Sequence, residues 1–227
     1  MLEDTSKKRR EEPRESFPKD YHEYVFRDGR LVGDFDNMYR YAKEVPWNQD
    51  ERCHHWYAEV GMLMLKEHSP YDSILEIGCG LGYIAAKLKG FAKGSVAAFD
   101  VSAEAIRKAR SLHTGIEFYV DNIAKASFRP QHQYDLVVIR DVFWYVFPQM
   151  ETVAGNVNGC VKPRGCLYIA QSFPALDGPY VGKEVIPNPN AVMEYFPNYD
   201  PIYTVLLRNH QQIKDGPILH FLGIKAR

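Results

Sequence analysis

The chain predicts a three-layer α/β sandwich: a seven-stranded, mostly parallel sheet with an antiparallel C-terminal strand, and an N-terminal helical cap. Three observations predict it. Residues 74 to 88 read as a short apolar strand, a glycine-rich turn and a helix. Further short apolar runs follow, two of them ending in an acid, with helix-like segments between. The chain then closes on two strand-like runs, Ile202 to Arg208 and Ile218 to Lys225, joined by a polar turn through Gln212 and Gly216. That is a hairpin signal.

Residues 1 to 16 mix Lys7-Lys-Arg-Arg10 with Glu3, Asp4, Glu11 and Glu12, and are expected to be a solvated, disordered tail. Residues 17 to 69 form the cap. Here Asp34-Phe-Asp-Asn-Met-Tyr39 and Val45-Pro-Trp47-Asn-Gln49 lead into a helix from about Asp50 to Glu67. Asn48 with Glu51 suggests a capping box, and Trp56, Val60, Leu63 and Met64 an apolar face. Tyr39 and Trp47 either pin the cap to the core or close over a bound ligand. Residues 70 to 227 form the main domain.

In that domain the strand at Ile74 ends in Glu76-Ile-Gly78-Cys79-Gly80-Leu-Gly82. Glycines suit a sharp turn that lets a ligand approach the backbone. The dinucleotide fingerprint needs Gly-x-Gly-x-x-Gly, but here Tyr83 stands where its last glycine belongs. An NAD-dependent oxidoreductase is therefore disfavoured. The strand Ser95 to Phe99 ends in Asp100, placed to accept both ribose hydroxyls of an adenosine. Ser102 reads as the N-cap of a helix that packs through Ala105, Ile106 and Ala109. Ile116 to Val120 ends in Asp121-Asn122-Ile123. Tyr134 to Ile139 is a continuous apolar run, as a strand buried on both faces requires, and Arg140-Asp141 follow it. A helix from Gln149 to Cys160 and a strand from Cys166 to Ser172 complete the pattern.

Glu76 with the glycine loop resembles motif I of the Rossmann-like class I methyltransferases that use S-adenosylmethionine (SAM). Asp100-Val101-Ser102-x-x-Ala-Ile-x-x-Ala-Arg is similar to their post-I segment. Tyr134-Asp-Leu-Val resembles motif IV, and Val161-Lys-Pro-Arg-Gly165 is typical before the fifth strand. This resemblance covers roughly residues 70 to 172. It implies that Glu76, Gly78, Cys79, Gly80 and Gly82 hold the methionine half of SAM and that Asp100, Val101 and Ser102 hold the ribose. Asp121, Asn122 and Ile123 would then meet the adenine, while Arg140 and the residues after it border the transfer site. Trp47 would touch the cofactor from the cap.

A narrower resemblance rests on residues 34 to 49 and on Gln171-Ser-Phe173 with Tyr180-Val-Gly-Lys183. It points to bacterial type 11/12 methyltransferases of small molecules and sugars, related to nodulation-type N-methyltransferases of oligosaccharides. The acceptor expected from it is small and polar, such as a sugar or sugar nucleotide. Asp141 and Tyr145 are the candidate catalytic residues, and Asp141 serves equally as a structural strand-end group. Tyr39, Tyr180 and Lys183 are the candidate acceptor contacts. His54 and His55 fit a surface role better than a catalytic one.

Residues 173 to 201 form a long proline-rich connection, and their aromatics argue for function rather than disorder. An acceptor-side wall and a homodimer contact both remain open. A protein methyltransferase and a SAM-binding scaffold without activity are the alternative functions, and a metal-dependent catechol-type enzyme lacks a carboxylate triad.

The 28 basic and 29 acidic residues nearly cancel, so no global field favours nucleic acid or a membrane surface. The four cysteines lack Cys-x-x-Cys spacing, so no metal site or disulfide framework is expected. With no signal peptide or membrane-length apolar run, the expected setting is cytoplasmic.

Overall fold

The computed structural model describes residues 20–208 and 215–226. The expected tail at 1 to 16 and the turn around Gln212 lie outside the described residues. The cap opens with α1 (His22–Val25), a hairpin of β1 (Phe26–Arg27) and β2 (Arg30–Leu31), and α2 (Phe35–Tyr41). Two further helices, α3 (Gln49–Arg52) and α4 (Trp56–Glu67), lead into the sheet.

The seven predicted strands all form. They are β3 (Tyr71–Ile77), β4 (Ala92–Asp100), β5 (Glu117–Val120), β6 (Tyr134–Arg140), β7 (Val161–Pro174), β8 (Tyr199–Leu207) and β9 (Asp215–Lys225). Their spatial order is β5-β4-β3-β6-β7-β9-β8. The pairs among β3 to β7 are parallel, and β9 runs antiparallel between β7 and β8. The chain builds outward from β3 to β5, then returns to place β6 on the other side of β3. Such a reversal leaves a crevice at the carboxyl ends of the two central strands, where ligands bind in open α/β sheets.

Between these strands run α5 (Tyr83–Leu88), α6 (Ala103–Leu112), the short α7 (Phe143–Val146), α8 (Met150–Cys160) and α9 (Pro189–Glu194). Both faces of the sheet are covered. Leu75, Ile77, Val137, Ile139, Leu167 and Ile169 belong to one core, while Ile74, Leu136, Val138, Tyr168 and Leu222 belong to the other. Alternation along each strand divides the apolar run between them. Ser102 caps α6 by accepting a hydrogen bond from Ala105 N at 3.1 Å, and Ala105, Ile106 and Ala109 are buried, as predicted.

The cap departs from expectation in two ways. The single helix from Asp50 is broken into α3 and α4 at residues 53 to 55, where His55 turns extended (ψ 150°) just before α4, while Trp47 and Asn48 take positive φ ahead of α3. Asn48 makes no side-chain cap bond, so the capping box does not form. The buried face of α4 is also rotated: Tyr57, Ala58, Gly61, Met62, Met64 and Leu65 face inward, while Trp56 is 42% and Leu63 65% exposed. Gly61 sets this orientation. A Cβ there would lie 1.9 Å from the Tyr168 hydroxyl, so only glycine lets the helix approach the sheet this closely.

The connection at 173 to 201 is largely anchored. Ile186, Val192, Phe196 and Tyr199 are buried in the core shared with α8. Among the described residues, no helix is long and apolar enough to cross a membrane.

Candidate functional site

A cavity of about 520 Å³ opens at the carboxyl ends of β3, β4 and β6, under the cap. The glycine loop forms its floor. Gly78 N and Cys79 N donate to Phe99 O at 2.8 and 3.0 Å, tying the loop to β4. Gly78 has φ +70°, and a Cβ there would lie 2.4 Å from Val142 Cγ2. At Gly80, φ is +52° and a Cβ would meet the Gln49 amide at 2.5 Å. The second glycine is thus required by the cap as much as by any ligand.

Asp100 ends β4 and is 8% exposed. Its Oδ2 accepts from Gly80 N at 2.8 Å and its Oδ1 from Ser102 N at 2.9 Å. Burial pushes its carboxyl up, and the N–H groups of Ser102, Gly80 and Val101 oppose that. A carboxylate has about four acceptor sites, so it can receive further hydroxyls from the cavity.

Glu76 is 3% exposed and lies beneath the loop. Its Oε2 has no hydrogen-bond partner among the described residues. Burial pushes its pKa up to about 8, against the charge of Arg140 and the N–H of Ala85. An orphaned buried acceptor of this kind is stabilised by an incoming cation or donor.

At the opposite end, Asp121 Oδ1 accepts from Asn122 N at 2.7 Å, and Asn122 Oδ1 accepts from Ala124 N at 2.9 Å. This turn presents Asp121, Asn122 and the buried Ile123 to the cavity. Val101 lines it too.

The cap supplies the remaining wall. Tyr39, Trp47 and Tyr145 line the cavity, with ring centroids 6.3 Å apart for Tyr39–Trp47 and 5.4 Å for Trp47–Tyr145. Gln49 latches them to the floor: Leu81 N donates to its Oε1 at 2.9 Å, and its Nε2 donates to the Tyr39 hydroxyl at 2.8 Å. Arg140 and Asp141 also line the cavity. Asp141 adopts φ +52°, its N donates to Ala170 O at 2.8 Å, and its Oδ1 accepts from Ser172 N at 2.7 Å.

Several predicted residues stand off the wall. Glu76 is buried beneath the loop rather than lining the cavity, Gly80 and Gly82 shape the loop, and Gly82 precedes the first turn of α5. The Ser102 hydroxyl is used by Ala105 N and by Asp36 Oδ1, to which it donates at 2.7 Å. The Tyr180 hydroxyl donates to Pro187 O at 2.7 Å, and Lys183 Nζ donates to Gly178 O at 2.8 Å, so both bond within their own loop. Tyr180 reaches the site only through Trp144, with its ring edge-on at 5.3 Å. No residue of 173 to 201 lines this cavity, and neither does His54 or His55.

Arg52, Tyr57 and Trp144 do line it, and sequence reasoning did not single them out. Arg52 was legible in part, since it lies three residues after Gln49 on one helical turn. Among the described residues there is no cluster of three His, Cys, Asp or Glu side chains able to hold a metal.

This topology and site define a Rossmann-like class I methyltransferase fold. Residues 74–165 match the family described as "Methyltransferase domain". The solved structure of N-methyltransferase NodS from Bradyrhizobium japonicum, in complex with S-adenosyl-L-homocysteine (SAH), superposes with a TM-score of 0.67. It covers 82% of this chain and 94% of its own length, at 21% identity. Two curated relatives are named malonyl-[acyl-carrier protein] O-methyltransferases. One, from Ilyobacter polytropus, is 23% identical over 68% of this chain, and one, from Priestia megaterium, is 33% identical over 42%. The chain spans 63% and 35% of their respective lengths. Residues 74–165 therefore match a methyltransferase domain on the class I fold, and S-adenosyl-L-methionine is the cofactor the sequence leads one to expect there.

The residues fit that cofactor. Asp100 and Asp121 would offer acceptors to its nucleoside, Ile123 an apolar face and Gly78 a cradle without a side chain, while Glu76 lies buried beneath the loop and off the cavity wall.

Proposed function

We propose that the chain transfers the methyl group of SAM to an oxygen or nitrogen of a small polar acceptor, with sugars and sugar nucleotides the class favoured by its sequence. The observation that carries this reading is the continuity of the cavity. The same space touches Asp100, Asp121 and Ile123 at one end, and Trp47, Tyr145, Trp144 and Arg52 at the other.

When bound, SAM supplies an electrophilic methyl group on a sulfonium. The protein must align the acceptor near 3 Å from that carbon and exclude water, and alignment of this kind contributes much of the barrier reduction. The cap performs the exclusion, with Gln49 holding Tyr39 over the loop. Arg140 and Asp141, which line the cavity at the end of β6, would border the methyl group.

Burial pushes the Tyr145 and Tyr57 hydroxyls up, so both stay protonated and are not available as bases, and Asp141 Oδ1 already accepts the Ser172 N–H. The acceptor therefore brings its own available lone pair, as a neutral amine or an ionised oxygen does. The relatives' names span both nucleophiles, one O-methyltransferase type and one N-methyltransferase.

Calorimetric titration with SAH, with NAD in parallel, tests the cofactor. Micromolar binding of SAH alone supports the proposal. Binding of NAD, or of neither, overturns it. A turnover assay over aminosugars and sugar nucleotides then separates an enzyme from an inactive scaffold.

A further inference from the structure

Two arginines line the acceptor end of the cavity, Arg52 from α3 and Arg140 from β6. Among the described residues, neither forms an ion pair with a carboxylate. Their surroundings differ. Arg140 is half-buried, and its charge acts on the buried Glu76, Tyr168 and His220 below the floor. Arg52 is exposed at the mouth, its guanidinium stacked 5.7 Å from the ring centre of the buried Tyr57. Its acidic neighbours do not claim it: Asp50 Oδ1 instead accepts from Glu51 N at 3.1 Å.

The amino-acid end of the cofactor carries one carboxylate and one ammonium. Arg140, which lines the cavity and whose charge acts on Glu76 beneath the glycine loop, is complementary to that carboxylate. Arg52 is then surplus to the cofactor, yet a buried ring orients it and it faces the same cavity. A planar guanidinium fixed in this way favours a carboxylate or phosphate, which it can grip through two parallel hydrogen bonds.

We infer that the methyl acceptor carries an anionic group, a carboxylate or a phosphate, which docks on Arg52 at the cavity mouth while the acceptor's body lies among Trp47, Trp144 and Tyr145. This rests on the methyltransferase reading above and adds the charge class of its acceptor. The anion is a handle that sets the acceptor's orientation. A neutral molecule of the same size would lack it.

The test uses the whole chain saturated with SAH, titrated calorimetrically with malonate, with glucose 1-phosphate and with glucose. At least one anion is expected to bind at least about tenfold more tightly than glucose, and the identity of that anion separates a carboxylate handle from a phosphate one. Arg52→Gln is expected to erase this preference while SAH affinity stays within about threefold of the unaltered chain. Three results overturn the inference: neither anion binding better than glucose, the preference surviving in Arg52→Gln, or that variant losing SAH affinity about tenfold. The last would assign Arg52 to the cofactor's carboxylate. Failure of the unaltered chain to bind SAH at all would instead overturn the methyltransferase reading.

Discussion

The Leu81 N–H donates to Gln49 Oε1 at 2.9 Å, so a side chain of the cap completes the backbone of the glycine loop. The same amide donates to the Tyr39 hydroxyl at 2.8 Å. Cap and loop thereby form one unit around the cavity, and Gly80 must lack a Cβ because Gln49 occupies its place.

Gln49→Ala is expected to unlatch the cap. It leaves Leu81 N without its partner and frees Tyr39, losses of about 1–2 kcal/mol when solvent replaces them imperfectly. SAH affinity should fall by about 5- to 30-fold in a calorimetric titration, with only a small change in melting temperature. Unchanged affinity would mean that the latch plays no part in holding the cofactor.

Asp100 serves both loop and ligand. Asp100→Ala removes the acceptors for Gly80 N and Ser102 N together with the proposed ribose contacts. SAH binding is expected to weaken by about 2–4 kcal/mol. The loop loses two fixed points as well, so thermal stability should drop in parallel. Wild-type affinity in this variant would show that the ribose is held elsewhere.

Glu76 gives the protein a pH signature. Its folded pKa, near 8, is above its ordinary value of 4.5, so the folded state holds a proton that the unfolded state releases. Stability from this group is present below pH 4.5 and is lost as pH rises through 8. His220 acts in the opposite sense at lower pH. Burial depresses its pKa to about 4, so its contribution is present above 6.5 and lost as pH falls toward 4. Between pH 6.5 and 8 the Glu76 slope stands clear of it, at up to about 1.4 kcal/mol per pH unit. Urea unfolding across that window should show falling stability, and Glu76→Gln should flatten the trend. An equal slope in the variant would place the titration on another group.

The sheet was legible because its signals are local. Each strand is a short apolar run with a sharp end, and the acids at Asp100 and Asp121 mark where β4 and β5 stop. The glycine loop was legible for the same reason. The cap was not, because its geometry follows from contacts distant in sequence. Gly61 decides which face of α4 is buried through Tyr168, and nothing near Gly61 announces that partner. Tyr180 and Lys183 suggested an acceptor site by composition, yet their polar atoms find carbonyls within their own loop. Arg52 and Tyr57 escaped notice because they flank the break between α3 and α4, where His55 turns extended, and the residues around it carry no glycine or proline to advertise a break.

Asp141 is the residue on which sequence and structure pull hardest against each other. Its place after β6 suits an acceptor contact, while its Oδ1 bond to Ser172 N and its φ of +52° suit a strand-end clasp. Two substitutions separate the roles. Asn keeps an acceptor oxygen for Ser172 N and tolerates positive φ, so Asp141→Asn should fold with nearly unchanged stability and bind SAH normally. Ala keeps neither, and Asp141→Ala should lose about 1–3 kcal/mol in urea unfolding. If the carboxylate charge also steers the acceptor, Asp141→Asn will lower turnover at unchanged SAH affinity. If the residue is a clasp alone, turnover in Asp141→Asn will match the parent and only the alanine variant will fall, in step with its stability.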